Sequence, residues 1–433
     1  PNLAFPRHRA KLNVIDLYKT SRIAFSFYFV RKEYVKMNPV RMIVLGAGAR
    51  GMDAYAPYAL LAPDQLQIVA VAEPRETRRA AFAARYGVPE GAVFADWRAA
   101  LDAGVEADAV LVATQDNQHV EPACVAMEDG YDVLLEKPIA KSEDELKRIY
   151  DTSVRTGKRA AVCHVLRYTR FFNTLKTMID SGEIGDVINI SHSENIGYWH
   201  MAHSFVRGNW RREDETSPMI LAKSCHDTDI LLYLVGKDCK RVASFGNLKH
   251  FAAENAPEGS AERCLDCKVA STCPYSATRL YLIPFLTGWP VSVITDDLSP
   301  AGRMKALREG PYGRCVYRCD NDVLDHQSTV LEFEDGVTAT MTVSAFTDYR
   351  HGRTIHIMGS HGEIRAKMSD ETIEVTNFRD GSVRTTENPL PGGMGDGHGG
   401  GDMGLIASFV RMERGEEGAV KSSIRDAIQS HLI

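Results

Sequence analysis

Two short stretches of this chain bring together residue types that chemistry at an alcohol carbon would need. Glu136-Lys137-Pro138 closes an apolar run, and Lys223 and His226 stand three residues apart ahead of another. An ammonium at the end of a buried strand can donate to a substrate oxygen and steady the charge that develops as a proton leaves. Histidine titrates near pH 6.5, so it can take a hydroxyl proton at neutral pH. A third stretch, Gly46-Ala47-Gly48-Ala49-Arg50-Gly51, follows an apolar run and precedes a helical pattern. There the first glycine permits a tight turn, the second lets a pyrophosphate approach the backbone, and the third lets helix and strand pack closely. Glu73 ends the next apolar run, about 20 residues on, where an acid can accept both ribose hydroxyls of an adenosine. The combination predicts a dinucleotide site. The acid favours NAD over NADP, although Arg75, Arg78 and Arg79 nearby could offset its repulsion of a 2′-phosphate.

The elements that must position these groups follow from periodicity. Apolar runs at 41–46, 67–72, 109–113, 131–135 and 159–163 read as buried parallel strands. Helical patterns at 52–61, 76–86, 97–103, 121–129 and 143–156 lie between or after them. This alternation predicts an α/β, Rossmann-type doubly wound parallel sheet over residues 37–160. Ligands of such sheets bind beyond the strand C-termini, which aims Lys137 at the nicotinamide. Residues 168–181 read as an amphipathic helix ended by Gly182. Alternating segments at 187–194, 240–247, 328–333, 337–345, 353–358, 362–366 and 372–376 then predict a mostly antiparallel sheet in an α+β domain over 161–433. A glycine-rich loop at 392–401 carries His398, with Asp402 as the expected cap of the final helix.

The stretch from Tyr198 to Arg211 is dense in aromatics, histidines and arginines. Sugars stack their C–H faces on aromatic rings while polar groups read their hydroxyls. Tyr198, His200, His203, Arg207 and Trp210 are therefore expected to wall a substrate site on a loop. Five of the nine cysteines fall between residues 264 and 319. Cys264, Cys267 and Cys273 make a C-x2-C-x5-C pattern that, with Cys315, meets the four-ligand need of a structural zinc; an iron–sulfur cluster would accept the same ligands. The remaining cysteines stand singly in apolar surroundings and read as buried thiols. Residues 247–325 read as an insertion carrying the cluster.

The net charge of −6 over 433 residues argues against a nucleic-acid surface. Residues 1–36 are basic, with an aromatic patch at 23–30 that is too short to span a bilayer and has no cleavage site after it. They are expected to be a non-native or disordered leader ahead of a start at Met37, and the protein is expected in the cytoplasm, away from membranes. The pattern at 424–433 reads as a helix cut short.

From about residue 41 to the end the chain resembles the glucose–fructose oxidoreductase, inositol dehydrogenase and rhizopine-catabolism (Gfo/Idh/MocA) family. The resemblance rests on the 46–51 glycines, Glu73, residues 114–119, Glu136-Lys137-Pro138, and Ser181-Gly-Glu-Ile-Gly-Asp-Val187. It implies a second domain built on an open sheet that often mediates homo-oligomers. It also implies a nicotinamide cofactor and a carbohydrate or polyol substrate. Gly46, Gly48, Arg50, Gly51, Glu73, Thr114, His119, Glu136 and Lys137 would then contact the cofactor. The 114–119 segment lacks the proline common at its second position. Relatives often carry Asp-x-x-x-His where this chain has Ala222 and Lys223 before His226, and some branches carry Lys-x-x-His. The resemblance implies His226 as base, Lys137 orienting the oxygen, Lys223 touching substrate or tuning His226, and His398 reaching the substrate. Two other functions share the site: an NAD-dependent glycoside hydrolase that oxidises, eliminates, hydrates and re-reduces, and a non-catalytic NAD-binding regulator, which would need neither Lys137 nor His226.

Overall fold

The computed structural model describes residues 38–348, 352–387 and 398–433. The expected leader over 1–36, Met37 and most of the 392–401 loop lie outside the described residues. Strands β1 (Val40–Leu45), β2 (Leu66–Ala72), β3 (Val93–Phe94), β4 (Ala109–Val112), β5 (Asp132–Leu135) and β6 (Ala160–Val162) form a wholly parallel sheet in the order β3-β2-β1-β4-β5-β6. Every residue of β4, β5 and β6 is buried. Burial on both faces is why these strands read as continuous apolar runs rather than alternations. The strand order reverses between β1 and β4, and the ligand crevice of such a sheet opens there, beyond the strand C-termini.

The helix expected over 52–61 starts earlier. A wide helical turn over Ala49–Tyr55 follows Gly48 directly and hands over to a helix at Pro57–Leu61. Ala56 N–H reaches back five residues to Gly51 O at 3.1 Å, and Pro57 has no N–H to continue a regular ladder. Gly46 has φ +99°, and a Cβ there would lie 2.3 Å from the Ala113 carbonyl oxygen. A Cβ on Gly51 would lie 2.0 Å from the Gly46 oxygen, whereas one on Gly48 would meet nothing within 4 Å.

The second sheet holds β7 (Val187–Asn195), β8 (Cys239–Asn247), β9 (His326–Phe333), β10 (Thr338–Ser344), β11 (Arg353–Gly359), β12 (Gly362–Lys367), β13 (Thr372–Asn377) and β14 (Val383–Glu387), in the order β14-β13-β12-β11-β7-β10-β9-β8. All neighbours are antiparallel except β7 and β10. Its inner face packs on Arg170–Asp180 and Cys225–Val235. The segment between β8 and β9 adds short helices with a small core of their own, built on Ala277, Tyr281, Val291, Leu307 and Tyr312. Sequence periodicity assigns the last two helices to the second domain. Gly401–Glu413 and Ile424–Leu432 instead place Leu405, Ile406, Phe409, Val410, Ile424 and Ala427 in the core of the parallel sheet. Among the described residues no helix is long and apolar enough to cross a membrane.

The three glycines therefore separate by experiment. Gly51→Ala should cost about 1–3 kcal/mol in urea unfolding, because the added carbon meets backbone. Gly48→Ala should stay within about 0.5 kcal/mol of wild type yet weaken NAD binding in a calorimetric titration. Equal effects on folding, or no loss of NAD affinity in Gly48→Ala, would remove the reading of Gly48 as a ligand-facing position.

Candidate active site

The glycine loop is tied to its surroundings by two acids. Glu73 Oε2 accepts from Ala47 N–H and Oε1 from Arg75 N–H, both at 3.0 Å. A carboxylate offers about four acceptor sites, so capacity for a ribose remains. Arg79 is engaged with the Glu73 and Pro74 carbonyl oxygens at 2.7 and 3.2 Å. The second acid is Glu136, at the end of β5. Arg50 donates to its Oε1 at 2.6 Å, Tyr55 O–H donates to the same oxygen at 2.6 Å, and Lys137 N–H donates to Oε2 at 2.8 Å. Arg50 also donates to Asp402 Oδ1 at 2.5 Å and to Tyr55. Burial works against the Glu136 charge, but Arg50 and Lys137 beside it outweigh that and hold the carboxyl below its ordinary value.

In the 114–119 segment, Thr114 O–H donates to Gln118 O at 2.8 Å. His119 is buried, with Nδ1 2.6 Å from Pro138 O and Nε2 3.3 Å from Thr114 O. Its ring therefore braces the turn that carries Lys137. Asp116 accepts from Trp210 Nε1 at 3.1 Å and from Ser217 O–H at 3.0 Å, linking this segment to the second domain.

Lys137 extends out of the parallel sheet, and its Nζ donates to Ala222 O at 2.7 Å, at the end of the short helix Met219–Ala222. That carbonyl fixes the ammonium beside the turn bearing Lys223 and the first turn of the helix bearing His226. His226 is buried, and its Nδ1 has no hydrogen-bond partner. Its ring lies 5.8 Å from that of His398 and 5.9 Å from that of His164. Burial, then the charges of Lys137 and the neighbouring His398 and His164, push its pKa well below 6.5, so the ring is a neutral proton acceptor at pH 7. Lys223 Nζ stands 3.3 Å from Glu194 Oε1. Burial, opposed by Glu194, lowers its pKa.

Beneath these groups runs a buried charge chain that the residue patterns did not single out. Glu194 pairs with Arg353 at 2.9 Å, Arg353 Nε donates to Asp227 at 2.7 Å, and His192 Nε2 lies 2.8 Å from Asp227. Burial opposes the Asp227 charge, but Arg353 and His192 outweigh it and hold the carboxyl below the usual range. One signal could have exposed this chain. His192 and Glu194 share the inward register of β7 with Ile190, and a polar residue at a core-facing strand position needs a buried partner.

The expected substrate wall divides. It is helical rather than a loop, with an α-helix at Tyr198–Met201 and a wide turn at Ala202–Arg207, so residues three or four apart are the ones that share a face. Tyr198 is exposed. His200 stacks on Trp199 and lies near enough to Lys223 for that charge, after burial, to depress its pKa. His203 packs on Trp289 as His200 does, and its Nδ1 lies 2.8 Å from Tyr281 O–H in the core of the insertion. Arg207, 1% exposed, donates to Arg314 O and Tyr275 O at 2.8 and 2.7 Å and faces Cys264 Sγ at 3.6 Å. Trp210 reaches Asp116 as above. His398 lies beside His226, with Nδ1 3.2 Å from Asp402 Oδ2 and 3.5 Å from Arg50 Nη1. The structure thus gathers Lys137, Lys223, His226, His398 and His200, and leaves His203 and Arg207 in the insertion. Cys264, Cys267, Cys273 and Cys315 line one small cavity there. Among the described residues, no three or more His, Cys, Asp or Glu side chains already form a metal-holding set.

Buried histidines with depressed pKa values link folding to pH. Below about pH 6.5 the unfolded chain binds protons that the folded ring refuses, so stability is full above that pH and falls as acid is added. His203 and His431 are both pushed down to about 3, chiefly by burial. Each should cost up to about 2 kcal/mol between pH 7.5 and about pH 5, above the range in which carboxylates titrate. Urea unfolding at the two pH values checks this; a flat profile would mean the rings accept protons when folded.

Comparison with known proteins agrees with this architecture. Residues 40–164 match the model of the Gfo/Idh/MocA oxidoreductase family's NAD-binding Rossmann fold, and residues 176–388 match its C-terminal alpha/beta domain. YteT of Bacillus subtilis is 23% identical over 321 residues, covering 69% of this chain and 71% of YteT. An inositol 2-dehydrogenase of Streptomyces avermitilis is 32% identical, over 50% of this chain and 58% of its own length. A D-glucoside 3-dehydrogenase of Escherichia coli is 30% identical, over 36% and 43%. The chain thus matches well under two thirds of either dehydrogenase. Among solved structures, an Agrobacterium radiobacter oxidoreductase in complex with NAD+, L-tartaric acid and magnesium shares the fold with TM-score 0.65 and 16% identity, over 91% of this chain and 94% of that one. An inositol dehydrogenase homolog from Azotobacter vinelandii complexed with NAD+ gives 0.63 and 16%, over 91% and 93%. With one family match on each sheet, the chain belongs to the Gfo/Idh/MocA family of oxidoreductases and opens its described part with that family's NAD-binding Rossmann domain.

Proposed function

We propose that this oxidoreductase transfers hydride between a hydroxyl-bearing carbon of a sugar, inositol or related polyol and NAD. The observation that carries the reading is the meeting of Lys137, from the nucleotide domain, with the buried neutral His226 of the second domain. The open face of Gly48 between two backbone-packed glycines fits a pyrophosphate. The Glu73 carboxylate, with acceptor capacity to spare, fits an unphosphorylated ribose and favours NAD. Arg75 is exposed beside it, so NADP stays within reach of the same loop. NAD, when bound, supplies the hydride acceptor. The chain's own groups do the rest. Lys137, held by Ala222 O, donates to the substrate oxygen. His226 takes the hydroxyl proton, and burial keeps its ring neutral and ready for it. Lys223 and His200 are the polar groups placed to read further hydroxyls.

The second sheet supports self-association as well. Phe245 and Val330 stand outward in the same register of β8 and β9, with Phe245 82% exposed, and an exposed apolar patch of this kind suits a second copy of the chain. Phe245→Glu should shift the protein to a smaller species in analytical ultracentrifugation; an unchanged sedimentation profile would take this face out of the assembly.

Activity is tested by supplying NAD, and separately NADP, with a panel of inositols, aldoses, sugar acids and nitrophenyl glycosides. Substrate-dependent nicotinamide reduction is expected, lowered about 10²–10⁴-fold in kcat/KM by Lys137→Ala and by His226→Ala. The acid limb of kcat/KM should lie below pH 6.5. Nitrophenol release without net reduction would move the protein to the hydrolytic alternative, and full activity in Lys137→Ala would end the proposed role of that lysine.

A further inference from the structure

We infer that the segment between β8 and β9 is a zinc-stapled module, with Cys264, Cys267, Cys273 and Cys315 as the four thiolate ligands and Arg207 as the buried counter-charge. The backbone brings the four cysteines together from two separate stretches. Cys264–Asp266 forms a tight turn that presents Cys267, whose N–H points back to Cys264 O at 3.5 Å. A second turn, closed by Cys273 N–H on Val269 O at 3.0 Å, presents Cys273. An antiparallel bridge between Arg263 and Arg314, with Cys315 N–H on Glu262 O at 2.9 Å, sets Cys264 and Cys315 side by side. All four line one cavity of about 10 Å³, room for about one atom. Cys319 is not part of it and turns its sulfur toward Cys315 O at 3.2 Å.

Arg207 is the independent observation. It lines the same cavity, is 1% exposed, and leaves Nη1 without a partner. Among the described residues no carboxylate lies within ion-pair distance of it; it donates to the Arg314 and Tyr275 carbonyls and toward Cys264 Sγ, with the Tyr281 hydroxyl beside it. A buried guanidinium without a counter-charge is costly. Neutral thiols leave it uncompensated, and so would a disulfide. Four thiolates on one Zn²⁺ carry a net charge of about −2, and N–H donors on the sulfurs are the outer-shell groups such sites use. An ion would draw the sulfurs inward to about 2.3 Å and close the set. The module otherwise has only its small core of Ala277, Tyr281, Val291, Leu307 and Tyr312. A metal is the usual means of holding so little apolar volume in one shape.

The full chain, grown with added zinc and purified under reducing conditions without chelator, should carry about one zinc per chain by mass spectrometry of the metal. Cys267→Ser and Cys273→Ser should each lose it about tenfold or more, while Cys319→Ser should keep it. If the serine variants do not fold, the wild-type protein decides: after zinc release by a mercurial and exchange into Co²⁺, it should show the intense visible bands of tetrahedral cobalt thiolate. Wild-type protein with under about a tenth of an equivalent of zinc overturns the inference. Retention of zinc by both serine variants, iron with acid-labile sulfide in its place, or these cysteines found as disulfides by alkylation mapping would overturn it too.

Discussion

Glu136 sits where the whole site is decided. It closes the last strand before the Glu-Lys-Pro turn, is buried, and holds its charge because Arg50 reaches it from the glycine loop. Arg50 is shared with Asp402, from the helix that packs on the core of the parallel sheet near the chain's end. One guanidinium therefore joins the nucleotide loop, the strand end that bears Lys137, and a segment some 350 residues away in sequence. Removing Arg50 would leave two carboxylates, Glu136 and Asp402, buried without the cation they share, and breaking a buried pair costs more than forming it returns. The lysine has little freedom as a result: Glu136 holds its backbone N–H, His119 braces the proline after it, and Ala222 holds its ammonium.

The same economy governs the second domain. Lys223, Glu194, Arg353, Asp227 and His192 form a buried chain of alternating donors and acceptors beneath Lys137 and His226. Such a chain fixes positions more than it adds stability, since desolvation offsets much of the attraction. It holds Lys223 beside the turn that receives Lys137, while burial and then the Lys137 charge keep the His226 pKa well below its ordinary value.

Much of the first domain was legible because its signals are local. The strand runs are buried on both faces, and the glycine spacing reports backbone contacts that only a missing Cβ allows. Lys137 and His226 could be named from a motif. Their setting could not, since His164, Asp402 and Arg353 come from distant segments and each is an ordinary residue type where it stands. The split of the aromatic stretch was hidden for a related reason. Composition suggested a sugar-binding wall, but His203 and Arg207 are engaged with Tyr281, Tyr275 and Arg314 of the insertion, and composition carries no information about which neighbours a side chain meets. The final helices were misplaced because periodicity reports that an apolar face exists and not which core receives it.

That stretch and the insertion are mechanically one object. His200, Trp199 and His203 all pack against Trp289 of the insertion, and His203 and Arg207 hydrogen-bond into it as well. Whatever rigidity the insertion has is passed directly to His200 beside Lys223. A loop of this length between hydrogen-bonded neighbours such as β8 and β9 would ordinarily be a source of motion. Hydrogen bonds from His203 and Arg207 fix it against the 198–207 stretch. A surface held in one shape does not have to be ordered on binding, and ordering is among the main costs of recognition.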